Sequence, residues 1–535
     1  RTGVGVRDGM GLRGDSCSRK DGSTFGVTEA LESPSSKRWS GDELLAELFQ
    51  FVLMLLLCLA GLPRFILWIE SHRLGERVLR ASEDPASQGL LQDAVPTVLI
   101  QIPVYNDAEA LRSQLSNLTQ IDWPRASLEI QILDDSNDGS GGLIQGWVSE
   151  LRSEGVPVTC LQRTHRKGFK AGALASGLRQ SHAPFIAIFD ADFQIPADFL
   201  RRTIPAFEDS STGLVQCRWG FSNREENMLT RVQARLLDAH FHIEHRARSR
   251  AGRFFNFNGT AGVWRRAAIT EAGGWSDDTV VEDTDLSLRA WRCGWKFVYR
   301  DDVICEGHLP TNFRAFRTQQ RRWTAGAMQL FQKEKSRARH SSLWVDLDIQ
   351  SRFLTPLACF ALVLLTMCAP LRRIYPELLG SDPRWWPLVS TPIVEIPFLF
   401  FAVLFVVFYY GSTGGRWQQR VVESFFILIL GTGMAFYTCG SLLEGLLGRV
   451  STFERTPKSA VSSGGRSPTG WEYLYFLVTT GLFLSALQEG FISVLPLLGM
   501  TMVGLLWSFL SFKSKISAST TGERGLPLAG TDLIS

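Results

Sequence analysis

The sequence predicts an α/β domain with a mainly parallel sheet, set within an α-helical membrane-spanning region, and three observations carry that expectation. Between about residues 96 and 340, short apolar runs alternate with amphipathic stretches. Outside that part, six long apolar segments hold most of the apolar excess. Within it, pairs of aspartates stand where apolar runs end. Strand–helix alternation implies a mainly parallel sheet with both faces covered, and ligands of such sheets bind at the carboxyl ends of the strands.

The apolar segments lie at 43–69, 353–371, 386–410, 421–447, 472–488 and 491–512. A helix needs about 20 apolar residues to cross a bilayer, and several of these reach that length. Residues 1–42 are Gly- and Ser-rich with scattered charge and read as disordered; residues 513–535 read as a tail without regular structure. The chain opens on Arg1, and no signal peptide is argued from it.

A net charge of +3 gives no reason to expect nucleic-acid binding. The nine cysteines include no CxxC pair, which argues against a zinc site and a disulfide framework. Those in the polar part, Cys160, Cys217, Cys293 and Cys305, fit a reducing, cytosolic surrounding.

In the polar part, 97–102, 128–133, 158–161 and 185–189 read as strands, and 107–118 and 170–180 as helices. Asp134-Asp135 ends the second strand and Asp190-Ala191-Asp192 follows the fourth. Two carboxylates at i and i+2 leaving a strand can share a hard cation, Mg²⁺ or Mn²⁺, whose remaining ligands would be phosphates. A solvated acidic turn is the simpler reading of such a pair taken alone.

The neighbouring segments change that balance. Gln101-Ile102-Pro103-Val104-Tyr105-Asn106, Leu133-Asp134-Asp135-Ser136 and His165-Arg166-Lys167-Gly168-Phe169-Lys170-Ala171-Gly172 occur in this order. Together they resemble the GT-A domain of the inverting glycosyltransferase family that includes cellulose, chitin and hyaluronan synthases. The resemblance implies that Asp135 and Lys170 hold a nucleotide. Phe257-Asn258-Gly259-Thr260-Ala261-Gly262 resembles the acceptor-binding segment of the plant cellulose-synthase-like A and C groups, the (gluco)mannan and xyloglucan-backbone synthases, and departs from cellulose synthases at Asn258 and Thr260. It implies acceptor contacts from Asn258, Gly259 and Thr260.

Val280-Val281-Glu282-Asp283-Thr284-Asp285 is similar to the family's ED motif. An inverting transfer needs one base to take the acceptor hydroxyl's proton; the resemblance puts it on Asp283, with Glu282 and Asp285 as competitors. Asp285 also suits the first turn of a helix. Gln319-Gln320-Arg321-Arg322-Trp323 resembles the Q-x-x-R-W motif, which implies Arg322 on the donor diphosphate and Trp323 under the acceptor sugar.

Phe453-Glu454-Arg455-Thr456-Pro457-Lys458, within the 448–471 loop, resembles the gating loop of processive synthases, with Arg455 at a Val position. The resemblance implies roles for Phe453, Thr456 and Lys458, and puts loop and catalytic domain on one side of the membrane. An even number of crossings must then separate them, so one of the three intervening apolar segments does not span. The segment 421–447, with Glu423 and Glu444 near its ends and Gly431, Gly433 and Gly440 inside, is expected to lie at the interface. Asn117 and Asn258 head glycosylation sequons, and in a cytosolic domain neither is modified.

The resemblance implies a membrane hexosyltransferase that polymerises a β-1,4-linked polysaccharide from GDP-mannose or UDP-glucose. It implies the Golgi membrane for a plant or algal chain and the inner membrane for a bacterial one. Two rivals stand beside it: a non-processive transferase acting on a ceramide or polyprenyl phosphate, and an inactive membrane scaffold or transporter.

Overall fold

A computed structural model describes residues 41–73, 95–335, 349, 354–374, most of 402–448, and 467–521 apart from 493. The 1–40 segment, the part of 386–410 before residue 402, and the gating-loop residues Phe453, Thr456 and Lys458 lie outside the described residues.

Four parallel strands open the polar domain: β1 (Val98–Val104), β2 (Leu128–Asp134), β3 (Val158–Gln162) and β4 (Phe185–Ile188). Helices α2 (Ala108–Thr119), α3 (Gly141–Ser153) and α4 (Phe169–Leu178) connect them. Alternate residues of β1 face opposite ways. Val98, Ile100 and Ile102 join Leu111, Ile144 and Val148 on one side, and Leu99 joins Leu174 and Leu286 on the other. Burial on both faces makes these strands apolar nearly throughout. Gln101 is the polar exception within β1. It is fully buried, donates to Gln131 Oε1 at 3.0 Å and to the Leu174 carbonyl at 3.3 Å, and so ties α4 to the sheet.

Three further strands, β5 (Thr212–Phe221), β6 (Gly262–Arg265) and β7 (Lys296–Gly307), complete a seven-stranded sheet of order β3-β2-β1-β4-β6-β5-β7. Only β6 runs antiparallel to its neighbours β4 and β5, so the sheet is mainly parallel, as expected. Helix α5 (Met228–Ala239) precedes β6, α6 (Glu282–Arg292) precedes β7, and α7 (Phe313–Lys335) leads out of the domain.

Around this domain stand α1 (Gly41–Arg73), α8 (Leu354–Ile374), α9 (Trp417–Leu446), α10 (Gly470–Gln488) and α11 (Leu495–Thr521). Among the described residues three stretches are long and apolar enough to cross a membrane, Val52–Arg73, Trp417–Leu446 and Leu495–Phe512. Residues 513–521, expected as loop, continue α11. The 421–447 segment forms most of α9, whose length and composition also suit a span. Its glycines have a packing reason. A Cβ on Gly433 would lie 2.4 Å from the Gly504 backbone carbonyl carbon, so α9 and α11 touch backbone to backbone there.

The acidic residues of α9 are bound to the catalytic domain. Glu423 takes Arg235 of α5 at 2.7 Å, and Glu444 takes Arg321 of α7 at 2.6 Å. Arg317 of α7 grips Glu472 of α10 through two bonds of 2.6 and 2.7 Å, both side chains buried. Removing one partner of such a pair strands a buried charge. Glu472→Ala is expected to cost roughly 3–5 kcal/mol of stability, read as a lowered Tm in detergent. Arg317→Met/Glu472→Leu together should recover most of it.

Candidate active site

Strand ends build one side of the site. Asp134 closes β2 with both carboxylate oxygens engaged, one by the Ser136 amide at 2.9 Å and one by Gln162 Nε2 at 2.9 Å. That leaves Asp135 as the acid at the cavity, where Arg163 forks onto it through Nε at 2.8 Å and through Nη2. Arg163 also donates to the carbonyls of Lys167 and Phe169, fixing the loop that enters α4. The Arg166 guanidinium lies 3.4 Å from the Tyr105 ring centroid, and both residues line the cavity. The β1 and β2 loops are laced together by Asn106 and Asn137, which exchange bonds of 2.8 and 2.9 Å.

Lys170, in the first turn of α4, joins the strand end at Asp190 to the loop at Gly259. Its Nζ donates to Asp190 Oδ1 at 2.6 Å and to the Gly259 carbonyl at 2.8 Å. Burial works against its charge, but Asp190 and Glu282 outweigh burial and hold its pKa above the usual lysine value. Thr260 differs from expectation. It is fully buried and outside the cavity wall, and its hydroxyl accepts the Asp190 amide at 2.9 Å. It therefore positions the start of Asp190-Ala191-Asp192.

Gly259 has φ +83°, and a Cβ there would stand 2.9 Å from Asp283 Oδ2. Asp283 thus abuts this loop. Its Oδ1 accepts the Thr284 amide at 2.7 Å at the start of α6. Asp285 is the competitor the structure removes from the base role: fully buried, it binds Arg289 at 2.9 Å and Lys333 at 2.6 Å.

Burial pushes the Asp283 carboxyl above its ordinary value, with Lys170 and Arg322 opposing. Burial, then the Asp283 charge, raises Glu282 to about 7. A base works ionised, so a raised pKa means activity is lost earlier as pH falls. With Asp283 as the base, the acidic limb of kcat/KM is expected above the ordinary carboxylate value of about 4; a limb at that ordinary value would contradict the raised pair.

One cavity of about 780 Å³ collects these groups. Asp135, Lys170, Asp190, Asp192, Asn258, Gly259, Glu282, Asp283, Arg322 and Trp323 all line it. Its wall then continues onto Ala60 and Leu67 of α1, Cys359 of α8, and Leu430 and Met434 of α9. The space therefore runs from the sheet edge into the helix bundle. Among the described residues no three His, Cys, Asp or Glu side chains form a metal cage. Asp190 and Asp192 nevertheless fit a hard cation that takes one or two carboxylates and completes its shell with substrate phosphates.

Sequence reasoning missed Arg163, and it missed His240, Glu244 and Arg64, which also line the cavity or, for Arg163, hold its loop. Arg166 and Tyr105 stood inside motifs without a role.

Residues 185–412 match the family described as glycosyl transferase family group 2. Glucomannan 4-beta-mannosyltransferase 1 of Oryza sativa subsp. japonica is 44% identical over 268 residues, 49% of this chain and 51% of that protein. Glucomannan 4-beta-mannosyltransferase 7 of Arabidopsis thaliana is 41% identical over 318 residues, 57% of this chain and 56% of that protein. The matches thus span about half the length of these curated relatives. Among solved structures, the mannosyltransferase PcManGT of Pyrobaculum calidifontis in complex with GDP-Man and Mn2+ superposes with a TM-score of 0.50 at 20% identity, covering 76% of this chain and 99% of that one. Over part of its length the chain is thus similar to glycosyl transferase family group 2 and to glucomannan 4-beta-mannosyltransferases, and its sheet domain has the GT-A fold.

Proposed function

We propose that this chain is a membrane-embedded inverting glycosyltransferase that adds hexose units processively to a β-1,4-linked mannan or glucomannan, with GDP-mannose as donor and UDP-glucose as the competing choice. The observation that carries the reading is the single cavity running from Tyr105 and Asp135, past Asp283, to apolar residues of α1, α8 and α9. The curated relatives are glucomannan 4-beta-mannosyltransferases, which favours mannose.

In this reading Asp135, Lys170 and Arg322 hold the nucleotide and its phosphates, and Arg166 with Tyr105 flanks the base. Asp190 and Asp192 would hold Mg²⁺ or Mn²⁺, which when bound offsets charge on the departing nucleotide diphosphate. Asn258, Gly259 and Trp323 orient the acceptor, and Asp283 takes the proton from its hydroxyl. The polar domain is cytosolic, α9 lies at the interface, and the chain is a multi-pass protein of the Golgi membrane. Asn258 carries no glycan, because its amide nitrogen is bonded to His240 inside the cavity.

Microsomes containing the protein, offered labelled GDP-mannose and UDP-glucose separately, are expected to make β-1,4-linked polymer from GDP-mannose. A chelator should stop incorporation, and added Mn²⁺ or Mg²⁺ should restore it. Label found only in single-sugar lipid would move the reading to the non-processive rival. No incorporation from either donor would overturn it.

A further inference from the structure

We infer that His240, Glu244 and Arg64 form, with Asn258, a collar that binds hydroxyl groups of the acceptor sugar chain where it passes from the reaction centre toward the membrane helices. This rests on the transfer reading above and names residues that no motif marks.

The collar begins in an irregular helix. After α5, residues His240–His245 form a single π turn before helix resumes at Arg246. Such turns are rare and concentrate at functional sites. Here the turn brings the His240 and His245 rings to 4.3 Å, with the Asn258 amide bonded to both. Asn258 Nδ2 donates to His240 Nε2 at 3.0 Å, and His245 Nε2 donates to Asn258 Oδ1 at 2.8 Å.

His240 Nδ1 donates to Glu244 Oε2 at 3.0 Å. Glu244 Oε1 in turn accepts from Arg64 Nε at 3.2 Å and from the Tyr409 hydroxyl at 2.8 Å. Burial raises the Glu244 carboxyl, but His240 and Arg64 outweigh it and hold the pKa well below the usual range. The run of bonds therefore leads from the residue beside Gly259 to α1.

Two features point to a ligand. Asn258, His240, Glu244, Arg64 and Tyr409 all line the cavity, so this is a wall as well as a bolt between domain and helices. An arginine within an apolar segment such as Val52–Arg73 also marks a functional site, with its acidic partner named here. The Arg64 charge is offset by Glu244. A lining of amide, imidazole and a paired carboxylate and guanidinium offers the hydrogen-bond donors and acceptors that suit a polyhydroxy chain.

The test is steady-state kinetics on the full chain in detergent, with GDP-mannose and β-1,4-linked mannooligosaccharides as substrates. His240→Ala and Glu244→Gln are each expected to raise the acceptor KM about tenfold, the worth of one hydrogen bond to a charged group, with donor KM moving less than twofold. His240→Gln, which can still accept from Asn258, should recover part of the loss. An unchanged acceptor KM, or a fall in kcat with both KM values unmoved, would overturn the collar and leave a structural bolt. If Glu244→Gln fails to fold, the two His240 variants decide. A wild-type control that extends no acceptor sinks the transfer reading instead, so the two failures are distinguishable.

Discussion

Asp283→Asn is expected to lower sugar transfer by roughly 10²- to 10⁴-fold, the usual worth of a positioned general base, while membrane insertion and donor binding persist. The substitution keeps the shape of the side chain and its bond from the Thr284 amide, so the loss would report the missing proton acceptor. The neighbouring Glu282 provides the control. Both carboxyls are buried beside Lys170 and Arg322 and both are raised, but Asp283 Oδ2 is the atom packed against Gly259. Glu282→Gln should therefore keep substantially more turnover. The reverse ranking would move the base to Glu282.

Gly259→Ala should be nearly as damaging, although it removes no chemical group. The backbone there holds φ +83°, where a Cβ is strained, and that Cβ would meet Asp283 Oδ2 at 2.9 Å and Lys170 Nζ at 3.5 Å. Either the base moves or the loop carrying Asn258 does. A displacement of about 1 Å in a reacting group costs on the order of 10²-fold in rate. The measurement is kcat for the variant beside its donor affinity. Loss of donor affinity without loss of kcat would mean that Gly259 serves the nucleotide side.

The first four strands were legible because both of their faces are covered, which forces continuous apolar runs between turn residues. The other three were not. Strand β6 is four residues long, and β7 carries Arg300-Asp301-Asp302 in mid-strand opposite a register shift in β5. Asp135, Lys170, Asp283 and Arg322 were singled out because each sits in a contiguous motif that resembles one of the family's, and all four line one cavity. Thr260 shows the limit of that logic: a motif residue can serve by holding a neighbour's backbone. Arg64 and Glu244 show the opposite limit, since a pair 180 positions apart leaves no local pattern. For α9, composition alone suits both a span and an interfacial helix, and the burial of Glu423 against Arg235 depends on tertiary contacts that hydropathy does not register.

The central claim is that one carboxylate takes the proton from an acceptor hydroxyl, whose oxygen displaces the nucleoside diphosphate from the sugar in a single step. The anomeric configuration of the new linkage tests it most directly. With α-linked GDP-mannose as donor and a mannooligosaccharide acceptor, NMR of the product should show a β linkage. An α linkage would require two displacements and a nucleophile, and would contradict the account.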